Sequence, residues 1–414
     1  MKNMINKNVG DDALGVPLKT NIISNSRDVE GAVPYKNTPE NYLNPKINKF
    51  EPYSLNSDIT DFEIRLDANE SFSNLPDYIV GDIHENIKKI NFNRYPDPFA
   101  ADLIKKYSGY IKISENIDVD VKNIAVGNGS DELLSILINS FLSKGDKILT
   151  FTPDFSMYAF YGDIIEANVI KVQKSGADNF KIDFDEIAER INNENIKLVV
   201  FSNPCNPTGQ LIQKNILEKF IKSVNIPVIL DEVYMSFAGE NADDKKNKSF
   251  IYDFLEYQNL IVLKSLSKSI GLASIRIGFA LSNEIFINMI KTVKSPFNVN
   301  SVSQKIAETV LNYPDYLNQR LKEIKENKKN LQNNINNLFA DKKDFKVFDT
   351  ETNFILIETN RAKEIFDFLL QNKILVRNIG NKYLRITTGN CEENKKLTEC
   401  IENYFNICYN DYKS

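Results

Sequence analysis

Short β-branched runs alternate with helix-length amphipathic runs from about residue 120 to residue 281. No other feature constrains the fold as tightly. The candidate strands are NIAVG (123–127), KILTF (147–151), NVIKV (168–172), KLVVFS (197–202), IPVILD (226–231), LIVLKS (260–265) and RIGFAL (276–281). Between several of them lie helical patterns such as SDELLSILINSFLSKG and QKNILEKFIKSV. Parallel neighbours cannot be joined by a tight turn; they need a crossover, and a helix supplies it. The alternation therefore predicts an α/β fold, with a large domain built on a mostly parallel, helix-flanked, doubly wound sheet.

The character changes after about residue 300. A long helical stretch, interrupted near Pro314, is followed by NFILIET, KILVRNI and KYLRITT, short strands that predict a smaller α+β domain. With 414 residues the chain exceeds what one small core organises. The expected division is an N-terminal extension over 1–44, polar and flexible, a small domain from 45–74 and 306–414, and a large domain over 75–305.

Charge and composition narrow the function. The formal net charge is -5 and no long basic run occurs, which argues against nucleic acid as a partner. No run approaches the roughly 18 apolar residues that span a bilayer. The first residues lack a continuous apolar segment, so a secretory signal is not expected. The four cysteines, Cys205, Cys391, Cys400 and Cys408, form no CxxC pair and read as free thiols in a reducing cytoplasm. The one histidine, His84, sits in a polar helical stretch and reads as a surface residue. One histidine argues against a multi-histidine zinc site and against Ser-His-Asp chemistry, and no metal is expected. Proton transfer in this chain falls to another residue type.

Four stretches carry chemistry, and three end or follow predicted strands, where ligands bind in open α/β sheets. In VGNGSDELLSILINSF a strand runs into a helix near Ser130; its free N–H groups suit an anion. By itself, Ser130 is equally a good N-cap. VVFSNPCNPTGQL places a stiff turn after a strand, able to hold the amide of Asn206 or simply to turn the chain. IPVILDEVYMSF ends an apolar strand on Asp231, a carboxylate that needs a partner there, with Tyr234 three residues on. A cap or structural ion pair would also satisfy it. LKSLSKSIGLASIRIGFA sets Ser265, Ser267, Lys268 and Arg276 among small and aliphatic residues. A desolvated lysine near other cations becomes a nucleophile, and arginine grips phosphate through a fork. The small residues around Gly271 are expected to let the backbone pass close to a ligand. Together these make a kit for pyridoxal phosphate: an amine, an acid for the ring nitrogen, a phenol and an amide for the ring hydroxyl, and an anion cup.

Nine motifs in order make a family resemblance: RLDANES (65–71), RYPDP (94–98), GNGSDE (127–132), NPCNPTG (203–209), DEVY (231–234), SLSKSIGLASIRIGFA (265–280), PFNVNS (296–301), ILVRNI (374–379) and YLRITTG (383–389). The chain resembles the fold-type I, class I/II aminotransferases over roughly 45–405, and most of all the histidinol-phosphate aminotransferase group. The resemblance implies pyridoxal 5'-phosphate in the large domain and a homodimer with shared sites. It implies that Lys268 carries the cofactor and moves the substrate proton, that Asp231 keeps the ring nitrogen protonated, and that Asn206 and Tyr234 bind the ring hydroxyl. Ser265, Ser267, Arg276 and the amides of Ser130 and Asp131 would hold the phosphate, and Phe155 would stack on the ring. Tyr95 would reach the neighbouring subunit's cofactor. Arg377 and Arg385 would bind the substrate's anionic end, with Phe72, Phe297 and Asn298 in the substrate pocket. The implied reaction transfers the amino group of histidinol phosphate to 2-oxoglutarate, in histidine biosynthesis.

Phenylalanine stands at Phe155 and Phe297 where the family often has tyrosine, RLDANESFSNLP lacks the frequent NPYG form, and the segment joining Arg377 to Arg385 is short. An aminotransferase for aromatic or other amino acids, or a decarboxylase or lyase on the same fold, stays open. A non-catalytic regulator would need a DNA-binding helix-turn-helix, which the extension does not resemble.

Overall fold

The computed structural model describes residues 42–51 and 62–411, so the expectation for the extension falls almost wholly outside the described residues. The strands are β1 (Ile64–Arg65), β2 (Ile124–Asn128), β3 (Lys147–Thr152), β4 (Asn168–Gln173), β5 (Ile196–Ser202), β6 (Val228–Asp231), β7 (Leu260–Ser265), β8 (Ile277–Leu281), β9 (Phe345–Val347), β10 (Phe354–Thr359), β11 (Ile374–Leu375), β12 (Arg377–Ile379) and β13 (Tyr383–Thr387).

The seven candidate strands of the sequence form one sheet, in the order β2-β8-β7-β6-β5-β3-β4. Neighbours from β7 through β4 pair parallel, while β8 is antiparallel to both β2 and β7. The sheet is buried on both faces, and this explains its continuous apolar runs. On β5, Val199 and Phe201 enter one core while Leu198 and Val200 enter the other. On β7, Leu260 and Val262 face the first and Ile261 and Leu263 the second. The edge strand β4 is the exception, with no fully buried residue.

The helix Gly129–Phe141 lies on one face, with Leu133, Leu134, Leu137 and Ile138 buried at helical spacing. It starts where β2 ends, so its N-terminus sits at the rim of the sheet. The C-terminal ends of β2, β5, β6 and β7, with the start of the antiparallel β8, therefore bring short sequence motifs to one rim.

A second sheet, β12-β13-β10-β9, is antiparallel, and β1 pairs with β11 in a two-stranded parallel ribbon. Its core gathers Ile64, Leu66, Ile355, Ile357, Leu384, Ile386 and Ile401. The helix Pro314–Phe339 serves both units: Leu317 packs under the large sheet, and Leu331, Ile335 and Phe339 pack in the small core. Pro314 opens this helix at a position where no N–H partner is lost. The boundary expected at 305/306 falls inside the preceding helix Ser301–Val310, whose Ala307 and Val310 belong to the large core. Packing therefore favours a division along the Pro314–Phe339 helix. Among the described residues no helix is long and apolar enough to cross a membrane.

Candidate functional site

Between the two sheets lies a cleft of about 670 Å³. Ser130, Asp131, Phe155, Asn206, Asp231, Tyr234, Ser265, Ser267, Lys268, Arg276, Arg377 and Arg385 all line it. The strand ends explain the gathering: Asp231 closes β6, Ser265 closes β7, and Asn206 follows β5 by one turn.

Asp231 lies at the floor, buried. Its Oδ2 accepts from Tyr158 Oη at 2.8 Å and its Oδ1 from the Val233 amide at 3.0 Å. Burial outweighs both bonds and pushes the carboxyl up to about 7. A buried carboxylate such as this would be stabilised by a cationic ring nitrogen of a bound cofactor.

Lys268 donates to the Ala68 carbonyl at 3.0 Å, with the Tyr234 ring 5.9 Å from Nζ. Burial first, and Arg385 next, bring its amine down to about 8. At neutral pH a usable fraction is the neutral nucleophile, unlike an exposed lysine near 10.4.

The anion cup forms where the Gly129–Phe141 helix starts. Arg276 takes a left-handed φ of 54° and points Nη1 at Ser267 Oγ (3.4 Å) and Nη2 at Asp131 Oδ2 (3.4 Å). Gly129, at φ 84°, lies so close that a Cβ there would meet Arg276 Nη2 at 2.7 Å. Any side chain at 129 would fill the cup. Asp131 Oδ1 is buried without a hydrogen bond, and burial raises its carboxyl despite Arg276 and Lys268. Helix N-terminus, guanidinium and two serines match a phosphate.

The opposite wall comes from the small sheet. Arg377 and Arg385 are cross-strand partners on β12 and β13. Arg385 donates to Asn206 Oδ1 and to the Asp67 carbonyl, each at 2.6 Å. A guanidinium only donates, so Asn206 must present Oδ1 to it, and its NH₂ is left for a ligand. Among the described residues Arg377 has no side-chain hydrogen bond or ion pair.

Two site residues escaped the sequence reading. Tyr158 holds Asp231, and Asn69 Nδ2 donates to Tyr234 Oη at 2.9 Å while Thr387 Oγ1 donates to Asn69 Oδ1 at 3.1 Å. Burial pushes the Tyr234 phenol up to about 12, so it stays protonated. Asn69 lay within the RLDANES motif, and its left-handed φ of 54° suits asparagine; that was the available signal.

Five residues singled out in the sequence do not line this chain's cleft, Tyr95 among them, which was expected at the neighbouring subunit's site. Phe72 packs against the cluster of Val233, Tyr234 and Phe354, outside the cleft lining. Tyr95 is 82% exposed and stacks on Phe297 at 4.6 Å, both away from this chain's cleft. Asn298 bonds Lys294 (2.9 Å) and Glu132 (2.7 Å). Gly271 does not line the cleft either: it makes room for the buried Arg320, whose Nη2 a Cβ would meet at 2.7 Å.

The lysine, the buried carboxylate, the phenol, the amide and the anion cup fit pyridoxal phosphate by their donor chemistry. The comparisons agree. The family model "Aminotransferase class I and II" matches residues 63–401. The histidinol-phosphate aminotransferase of Clostridium novyi (strain NT) is 40% identical over 377 residues, 89% of this chain and 97% of that protein. That of Clostridium kluyveri (strain NBRC 12016) is 39% identical over 366 residues, 86% of this chain and 97% of its own. The structure of histidinol-phosphate aminotransferase from Sinorhizobium meliloti in complex with pyridoxal-5'-phosphate superposes with a TM-score of 0.76 at 22% identity, covering 88% of this chain and 98% of that one. The chain belongs to the class I and II aminotransferases.

Proposed function

We propose that this protein is a pyridoxal-phosphate-dependent aminotransferase that takes L-histidinol phosphate as amino donor and 2-oxoglutarate as acceptor, giving imidazole acetol phosphate and glutamate. One observation carries the chemistry: a lysine lowered to about 8 stands in one cleft with a buried carboxyl and an anion cup. The donor rests on the names of relatives 39–40% identical over most of both chains, and on the two arginines, Arg377 and Arg385, that line the same cleft.

When bound, pyridoxal phosphate supplies the electron sink for the pair left at the donor's α-carbon. The chain supplies the rest. Lys268 would hold the cofactor, and its Nζ, once released, would take the proton at the α-carbon. Asp231, positioned by Tyr158, holds a proton on the ring nitrogen. The Tyr234 phenol and the Asn206 amide orient the ring through its hydroxyl, and Phe155 covers its face. Ser130, Asp131, Ser265, Ser267 and Arg276 anchor the phosphate. Arg377 and Arg385 hold the anionic end of donor or acceptor, with Phe72, Phe297 and Asn298 assigned to the substrate pocket.

The exposed Tyr95–Phe297 stack supports a homodimer in which Tyr95 serves the partner's site. The protein is proposed to act in the cytoplasm. Glutamate formation from 2-oxoglutarate tests the donor: histidinol phosphate should support it with the highest kcat/KM. Turnover with phenylalanine or tyrosine but not with histidinol phosphate would contradict the assignment.

A further inference from the structure

Behind the cofactor-facing turns lies a second group of titratable side chains that the chemistry above does not use. The side chains of Lys174 and Asp154 are 4% and 1% exposed, so both are out of water. Lys174 Nζ stands 3.5 Å from Asp154 Oδ2 and donates to Cys205 Sγ at 3.2 Å. Lys174 follows the edge strand β4 and is fixed there by its amide, which bonds the Thr152 carbonyl at 2.7 Å.

The other oxygen of Asp154 does the linking. Its Oδ1 accepts from the Phe155 amide at 2.8 Å and from the Ser202 hydroxyl. Ser202 Oγ in turn accepts from the Asn206 backbone N–H at 3.2 Å. One carboxylate oxygen thus ties the residue that covers the cofactor ring to the residue that holds the ring hydroxyl. Phe155 and Asn206 line the cleft; Lys174 and Cys205 do not.

Asp154 Oδ1 keeps both bonds only while the side chain stays in place. Ionised, Asp154 is a buried charge that needs a counter-ion there, and unpaired it would turn toward water and release Ser202. Burial raises its carboxyl, and Lys174 lowers it. The other titratable groups around Asp154 are Cys205, Tyr158 and Asp231, none of them a cation. A buried lysine is otherwise an expensive residue, tolerated only with a partner.

We infer that Lys174 is a positioning residue: as the counter-ion of Asp154 it keeps the Asp154–Ser202 link closed and so sets the spacing of Phe155 and Asn206 around the cofactor ring. This rests on the pyridoxal phosphate reading above. Lys174 touches neither cofactor nor substrate and acts through Asp154.

The test titrates apoprotein with pyridoxal phosphate and reads both Kd and the visible circular dichroism of the bound cofactor. Lys174→Met should raise Kd by about tenfold or more, as expected for losing hydrogen bonds to a charged group, and should weaken the dichroism. Lys174→Met/Asp154→Asn should recover to within about threefold of wild type, because a neutral asparagine Oδ1 still accepts both bonds without a counter-ion. Cys205→Ala, which leaves the ion pair, should bind as wild type does. A merely structural pair would lower Tm in Lys174→Met without moving Kd or the dichroism, and that result overturns the inference. So does a double variant that binds no better than Lys174→Met. Should Lys174→Met fail to fold, the double variant carries the test, and loss of cofactor affinity at unchanged Tm overturns the inference. Wild-type protein that bound no pyridoxal phosphate would overturn the cofactor reading and this inference together; wild-type binding with unchanged Lys174→Met overturns this inference alone.

Discussion

The large-sheet wall of the cleft and the small-sheet wall satisfy their polar groups differently. On the large-sheet wall, Asp231 is held by Tyr158 and the Val233 amide, the Ser267 amide by Ser265 Oγ at 3.0 Å, and Arg276 by Ser267, Ala273 and Asp131. On the other wall Arg385 reaches across to Asn206, while Arg377 makes no side-chain hydrogen bond among the described residues. A wall closed on itself is preorganised for one fixed partner. A wall with an open guanidinium suits partners that come and go. The first is the place for a resident cofactor, and the second for a donor and an acceptor that alternate.

If so, changes on the large-sheet wall should depress every donor alike, and changes on the small-sheet wall should discriminate among donors. The largest effect is expected for Lys268→Ala, which removes both the covalent anchor and the base; turnover should fall by about four orders of magnitude or more, measured as glutamate formation, with every donor equally affected. Asp231→Asn keeps the shape and removes the charge. A loss of about 10²–10³ in kcat is expected, the scale of losing one preorganised electrostatic contact, again independent of donor.

On the other wall, Arg385→Met should lower kcat/KM by about 10–100-fold, because a charge-assisted pair with the substrate is lost and Asn206 loses its partner. Arg377→Met should cost about tenfold with histidinol phosphate and less with an uncharged donor. If the two arginine variants depress charged and uncharged donors equally, the division of labour between the walls is wrong.

The smallest effect concerns pH. Only the neutral amine of Lys268 attacks an aldehyde, and its folded value is about 8. Attachment of pyridoxal phosphate to apoprotein should therefore speed up as pH rises, by roughly fivefold from pH 7 to 8, and level off above that. Stopped-flow absorbance checks it; a rate still climbing steeply to pH 10 would mean an unperturbed lysine.

How much of this was legible in the sequence follows the same division. Lys268, Asp231, Ser130 and Arg276 sit at strand ends in short motifs, where an acid closing an apolar strand or a lysine among small residues announces itself. All seven large-sheet strands were readable from β-branched runs. The antiparallel insertion of β8 was not, because strand order depends on pairings distant in sequence. Tyr158 reads as an ordinary core aromatic until its partner Asp231, 73 residues away, is placed beside it. Asn69 and Tyr234 are separated by 165 residues, and no local pattern joins them. The sequence reading sets the boundary at 305/306 because the helices Ser301–Val310 and Pro314–Phe339 read as one long interrupted helix, and which core each turn joins is a tertiary fact.

The most direct measurement is borohydride reduction of the protein loaded with pyridoxal phosphate, followed by peptide mapping. Reduction should fix one cofactor per chain on the peptide carrying Lys268, and Lys268→Ala should leave that label absent. A label on Lys174 or Lys264, two other buried lysines, or no covalent label at all, would contradict the assignment of the cleft.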